Sequence, residues 1–458
     1  MEKFDYIISE MASLAWGLPL LIILIGGGLY LIIRIRFLPF LYLGHAIAIL
    51  KGKYDNESDA GEITHFQALA TALSATVGMG NIAGVAVAIS IGGPGAVFWM
   101  WISAVIGMST KFFTATLAIL YRGVDSEGKI QGGPMYFIME GLGKKWFPLA
   151  AFFSIAGLVG ALPVFNANQL TQAINDIVLK PMGLYRGLQT DFVIGIVLAT
   201  LTAIVILGGL SRISKTASKL VPAMAILYFV LVAAILIVHI DVVPEYLAFI
   251  FTDAFSANFY KGDAFLGGVV GGIIILGIRR GAFSNEAGIG TAPMAHGAAK
   301  TNEPIREGLV AMLGPAIDTL VICTLTALAI LVTGVWQSSD ANGVSLTASA
   351  FEESLPIIGK YGLMVCIAIF SISSLFSYSY YGTKCMSFLF GAKNKGIYNY
   401  FYILSIIIGA TTSLSMMINL IDTFFALMAI PTMTATVILA PRVIREARIY
   451  FAKLKAGY

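Results

Sequence analysis

Apolar residues in this chain do not come one or two at a time between polar ones. They come in runs of about 20 residues or more, separated by short polar stretches. Eleven runs stand out, at 14–35, 66–91, 97–121, 147–178, 191–210, 219–240, 264–298, 308–335, 361–388, 398–417 and 422–441. A helix needs roughly 20 mostly apolar residues to cross the hydrocarbon core of a bilayer. The pattern therefore predicts an all-α polytopic membrane protein with eleven transmembrane helices. The first apolar run follows the acidic start "MEKFDYIISEM" and has no small-residue cleavage site, so it reads as a retained helix, not a leader.

Composition agrees: of 458 residues, 58% are hydrophobic and 12% charged, about half the charge of a soluble protein. The net charge of +4 matters less than where the cations fall. With the N-terminus outside, the inner loops and tail carry 21 Lys and Arg and the opposite side five. That asymmetry predicts an outside N-terminus, a cytoplasmic C-terminus and a place in the cell membrane. All five tryptophans fall at predicted membrane ends, where aromatic belts form. Cys323, Cys366 and Cys385 are odd in number and suit neither a disulfide framework nor a metal site, and the four histidines form no ligand cluster. No phosphate loop, nucleophile elbow or paired catalytic carboxylate is found, which argues against an enzyme and an organic cofactor. Nothing points to nucleic acid.

Two runs are long and interrupted. Within 66–91 the stretch "ALSATVGMGNIAG" puts Gly78, Gly80, Ser74, Thr76 and Asn81 at mid-span. Within 264–298 the stretch "GGVVGGIIILG" is a second glycine-rich interruption. If the helix at 14–35 is an addition, ten remain. The interrupted runs then open two groups of five, 66–240 and 264–441. An odd number of spans per group makes the second group inverted relative to the first. Two broken helices at matching places in inverted halves point to the binding site of a secondary transporter. Exposed backbone groups are tolerated at such depth where they face a cavity or ligand.

"GGPGAVFWMWISAVIG" at 92–107 and "GIRRGAFSNEAGIGTAP" at 277–293 resemble signature blocks of the alanine or glycine:cation symporter family, the sodium:alanine symporters. The resemblance covers nearly the whole chain. It implies a leucine-transporter-like fold with an extra N-terminal helix, and Gly78-Met79-Gly80-Asn81 is similar to that fold's first helix break. It also implies a small neutral amino acid as substrate. By resemblance, the amides of Met79 and Gly80, beside Gly78, would meet the carboxylate. Carbonyls at Ala75 or Thr76, and around Ile273 to Gly277, would accept from the ammonium. The absence of an acid beside the first break suits a neutral substrate. In "PVFNANQLTQ", Phe165, Asn168, Gln169 and Gln172 share one helical face. Substrate contact and interhelical hydrogen bonding are both open for those polar groups. Phe165, Ile273, Ile274 and Phe370 are expected to bound the side-chain space.

Sodium, as the coupling ion, takes oxygen ligands. By resemblance, Ser373 and Ser374 would face the carbonyls of Ser74 and Val77, and a second ion would use Thr76, Asn81 and the substrate carboxylate. Charges inside spans are functional by default. Arg279 and Arg280 are expected just cytoplasmic of a break at 272–277, one lining a vestibule or pairing with Glu286 as a gate. Asp176 and Asp422 are expected in water near outer ends. The resulting expectation is sodium-driven import of alanine and glycine by alternating access. The alternatives are a proton-coupled carrier using Asp318 or Glu286, an amino-acid sensor, and a channel. Oligomeric state is not legible.

Overall fold

The computed structural model describes residues 10–11, 14–256, 268–339, 341 and 343–456. The first residues of the run predicted at 264–298 lie outside these. The described chain is a bundle of long helices, with one two-stranded antiparallel ribbon pairing Gly123–Val124 with Ile130–Gln131. Among the described residues, seven helices are long and apolar enough to cross a membrane, and two bent pairs raise the number to nine. Eleven is therefore not reached by this measure. The helix Lys395–Thr411 has only 17 residues, and Gly268–Asn285 carries Arg279 and Arg280 with a polar Ser-Asn end.

The first helical stretch, Pro19–Ile35, ends at Arg36 and Phe37, both left-handed, and the chain bends by 67° into Leu38–Leu50. Next comes the first broken span. Its first half, His65–Thr76, starts on a reciprocal cap: Thr64 Oγ1 accepts from the Gln67 amide at 3.2 Å, and Gln67 Oε1 accepts from the Thr64 amide at 3.1 Å. The helix stops at Val77, and the second half, Gly80–Gly92, leaves at 53°. This break is where the glycines predicted it.

The second break is not. "GGIIILG" runs unbroken inside Gly268–Asn285. The chain unwinds instead at 286–291 and resumes at Ala292–His296. Glu286, Gly288 and Gly290 there take φ of +53°, +87° and +108°. Glycine tolerates such angles and the helical 272–277 segment does not need them. Arg279 and Arg280 consequently precede the break by more than a turn. A third interruption, absent from the sequence reading, divides Phe147–Gly160 from Val164–Ile174. Pro163, which has no N–H to give a continuous helix, stands in it.

Small residues let these helices approach closely. A Cβ on Gly277 would come 2.4 Å from the Ala96 carbonyl oxygen, and one on Gly308 would come 2.2 Å from Thr116 Oγ1. On one face the ends of both broken spans are tied together. Arg122 donates to carbonyls of Ala60, Gly297, Ala299 and Thr301, and the Lys300 amide donates to Ile63 O at 2.7 Å. Glu307, fully buried, accepts from His65 Nδ1 and, at 2.5 Å, from His296 Nδ1. The buried Lys384 donates to Gly132 O at 2.8 Å and Met294 O at 2.9 Å.

Candidate functional site

A small cavity lies at the three interruptions. It is lined by Ala75, Thr76, Gly78, Met79 and Gly80 from the first, Gly160, Leu162, Phe165 and Asn166 from the third, and Phe283 and Glu286 from the second. Tyr378, Ile421 and Phe425 complete it. The room left for the centre of a water-sized sphere is about 20 Å³, so the walls nearly close on each other.

The first break is maintained by its own side chains. Asn81 Oδ1 accepts from the Gly78 amide at 2.8 Å, replacing a helical hydrogen bond with a local one. Asn81 Nδ2 donates to Asp318 Oδ1 at 2.8 Å and Asp318 O at 3.0 Å. Met79 caps the second half-helix, and first-turn amides of a helix have no intrahelical acceptor. Met79 and Gly80, at that helix start, line the cavity. The aromatic wall is Phe165 edge-on to Phe283, centroids 5.6 Å apart, with Phe425 at 5.9 Å from Phe283.

Glu286 supplies the cavity's one carboxylate among the described lining residues. Its oxygens accept from Tyr378 OH and Thr291 Oγ1, and it is buried. This corrects the expectation that no acid stands beside the first break: none does in sequence, but folding brings one there. It also corrects the expected pairing with an arginine. Arg279 instead forms an ion pair with Asp422, and its guanidinium stacks over the Trp16 ring at 5.5 Å. Trp16 Nε1 donates to Asp422 O at 2.8 Å. Asp422 is thus buried, not solvated. Arg280, also on this helix, leaves Nε without a hydrogen-bond partner. Arg279 lies one turn before Phe283 and Asp422 next to Ile421, so the pair sits directly beyond the cavity wall. Asp176 does reach the surface, paired with Lys180 at 2.6 Å.

Oxygens cluster at the carbonyl end of His65–Thr76. Ser374 Oγ lies 3.0 Å from Ser74 O, 3.3 Å from Ala75 O and 3.0 Å from Phe370 O. Ser373 Oγ lies 2.9 Å from Phe370 O, and Ser74 Oγ lies 2.8 Å from Ser373 O and 2.9 Å from Ser377 Oγ. Val77 is buried beside them. The donor set is neutral oxygen throughout, chemistry suited to a hard monovalent cation and not to a transition metal.

Several expected residues are elsewhere. Asn168 Nδ2 donates to Gly409 O and Thr412 O at 3.0 and 2.6 Å, and Gln169 Nε2 donates to Gln172 Oε1 at 2.9 Å. Asn168 thus faces Lys395–Thr411 and its following turn, Gln169 Oε1 lies near Gly343, and none of the three lines the cavity. Ile273 packs with Val85, Ile89 and Met100, Ile274 is partly exposed, and Gly277 abuts Ala96. The Phe370 ring packs on Tyr228 at 5.6 Å, and only its carbonyl turns toward the serines. Thr76 lines the cavity, but its hydroxyl donates to Ala72 O at 3.2 Å. Asn81 is fully committed to Gly78 and Asp318, so it does not present an oxygen for a second ion. Asp318 accepts from Asn81, from Ser284 Oγ at 2.9 Å and from Thr319 Oγ1 at 2.7 Å, outside the cavity lining. Asn166, Phe283, Tyr378, Ile421 and Phe425 were missed.

Broken helices meeting at a buried polar cavity, within a bundle of membrane-spanning length, define a multi-pass transporter of the leucine-transporter-like fold. A solved structure, that of MhsT in complex with L-phenylalanine, shares this fold, with a TM-score of 0.56 at 12% identity over 85% of this chain and 99% of that one. The chain matches the sodium:alanine symporter family over residues 1–458 and belongs to it. It is 39% identical to the sodium/alanine symporter AgcS of Methanococcus maripaludis, over 98% of this chain and 97% of the relative. It is 36% identical to the putative sodium/proton-dependent alanine carrier protein YrbD of Bacillus subtilis, over 83% and 78%.

Proposed function

We propose that this protein imports alanine and glycine with sodium, and that the cavity at the helix breaks is the substrate site. The observation that carries the reading is the pairing, across one small cavity, of a half-helix N-terminus at Met79 and Gly80 with the carboxylate of Glu286. The first suits a carboxylate, through free amides and the helix dipole. The second suits an ammonium. Phe165, Phe283 and Phe425 leave little room beyond them, which favours a small side chain.

Ser74, Val77, Ser373 and Ser374, with the Phe370 carbonyl, form the proposed sodium site, built from broken-helix carbonyls and neutral hydroxyls as in other carriers of this design. The ion holds the end of the first half-helix against Ile358–Phe390 and so couples to the shape of the cavity. Residues 66–240 and 264–441 are the proposed inverted repeats, with the N-terminus outside. In that orientation Arg279–Asp422 is the outer gate, and the Glu307 and Arg122 clusters close the cytoplasmic side.

The test is uptake of labelled alanine into liposomes holding the purified protein, with an inward sodium or an inward proton gradient. Accumulation with sodium alone is expected. Accumulation with protons alone overturns the serine site and moves coupling to Glu286 or Asp318. Saturable binding without flux under either gradient makes the protein a sensor.

A further inference from the structure

A second cavity, remote from the transport site, lies between the end of Pro19–Ile35 and the long helix Leu414–Lys455. Its volume is about 350 Å³, and its lining is Arg34, Arg445, Arg448, Pro441, Ile444 and Ile449. Half of that lining is guanidinium and half is apolar, with no carboxylate. Glu446 meets Arg445 at 3.2 Å from the rim, and among the described residues Arg34 and Arg448 have no ion-pair partner. Three guanidiniums on two separate helices converging on an apolar groove present a field that an anion relieves. The fork geometry of arginine suits phosphate oxygens.

The fold also fixes the groove's depth. Immediately after Arg34 the chain bends by 67° into Leu38–Leu50. That short helix buries Ala46 and Ile49 but leaves Leu41 and Ile47 78% and 45% exposed, and Phe37 just before it is 53% exposed. A helix that turns away from the bundle axis with apolar residues still exposed lies in the bilayer interface. Arg34 therefore stands at headgroup height, and one turn from Pro441 on the bilayer side Ile438, 47% exposed, continues the groove along the helix surface toward the acyl chains. Basic pockets between spans at this level take anionic headgroups.

We propose that this groove binds an anionic phospholipid, its phosphate on Arg34, Arg445 and Arg448 and its chain along Pro441 and Ile438. The lipid then bridges the N-terminal helix to the last helix. Both also meet at the other end, where Trp16 contacts Asp422.

The experiment uses the full chain in an uncharged detergent, with the triple variant Arg34→Gln/Arg445→Gln/Arg448→Gln and a triple Lys variant at the same positions as a charge-preserving control. Native mass spectrometry counts lipids retained after addition of phosphatidylglycerol, phosphatidylcholine or inorganic phosphate. The wild type is expected to keep one phosphatidylglycerol that the Gln variant loses. The Lys variant should keep it in part, and phosphatidylcholine should not replace it. Equal phosphatidylglycerol retention by wild type and the Gln variant overturns the proposal. So does displacement of the lipid by inorganic phosphate at equal concentration, which would make this a free-phosphate site. A change of oligomeric mass with unchanged lipid retention assigns the groove to contact between copies, and overturns it too.

Discussion

A β-carbon at Gly78 would stand 2.8 Å from Ser374 Oγ. That single distance links the substrate side of the first break to the proposed ion side. The Ser374 hydroxyl reaches the carbonyls of Ser74 and Ala75, and Gly78 gives its amide to Asn81. Gly78→Ala must push Ser374 away from those carbonyls or move the break itself. The expected result is a sodium requirement raised by about tenfold or more, corresponding to the loss of about 1.4 kcal/mol. Sodium titration of alanine uptake measures it. Adding Ser374→Ala should relieve the clash, restoring thermal stability without restoring sodium affinity. Normal sodium affinity in Gly78→Ala would mean the serine cluster only packs helices.

Glu286→Gln separates charge from shape. The amide still fits between Tyr378 and Thr291, but the negative charge facing the cavity is gone. Hydrogen bonds to charged groups contribute about 1.5–3 kcal/mol. Alanine affinity should therefore fall by about 10- to 100-fold, while the sodium dependence of whatever uptake remains keeps its form. An unchanged KM for alanine would remove Glu286 from the ammonium role and leave it as a structural acceptor for Tyr378 and Thr291.

The two breaks differ in how plainly the sequence exposes them, and the reason is physical. At Gly78 the interruption carries its own replacement hydrogen bond, Asn81, four letters into the motif. At 272–277 glycines are present without any such partner, and isoleucine and leucine between them continue the helix. The real second break, "EAGIGT", is marked by glycines at positive φ, an angle that spacing alone does not reveal. The polar groups of Val164–Ile174 left substrate contact and interhelical hydrogen bonding both open, and Asn168 takes the second role. Asn166 turns to the cavity, while Asn168, two residues on and about 200° around the helix, turns to Gly409. Phe283, Ile421 and Phe425 come from spans far apart in sequence, and no local pattern distinguishes them from other buried apolar residues.

At the cavity's edge the Asp422 carboxylate is fully enclosed, while its partner Arg279 is partly buried. Asp422→Asn leaves the guanidinium without its counter-charge. Breaking a buried pair from one side costs about 3–5 kcal/mol, and the lower end applies here because Arg279 is partly exposed. Arg279→Gln should destabilise comparably. The double variant should recover part of the loss, since neither charge is then stranded, and a thermal-unfolding double-mutant cycle reads this coupling. If the pair also gates, the double variant should show faster counterflow of alanine together with poorer net accumulation. Recovered stability with unaltered counterflow would restrict the pair to anchoring Trp16.

Glu307 offers the matching test on the opposite face. Ionised, it accepts from two imidazoles at once, His65 at the start of the first broken span and His296 at the end of the second. Both rings are buried, and both leave Nε2 without a hydrogen-bond partner. All their polar contact therefore runs through one carboxylate. Glu307→Gln replaces two acceptor oxygens by one acceptor and one donor. One histidine must then reverse its tautomer or lose its bond. Leaving a buried polar group unsatisfied costs about 1–3 kcal/mol, so the thermal midpoint should fall. The loss should be local: amide exchange at 60–65 and 296–301 should quicken, while exchange at the Ser374 cluster and in Gly95–Leu120 stays as in the wild type. Uniformly faster exchange would mean Glu307 supports the whole fold. Unchanged exchange with a lowered midpoint would mean the two helix ends are held by Arg122 and the Ile63–Lys300 backbone bond alone.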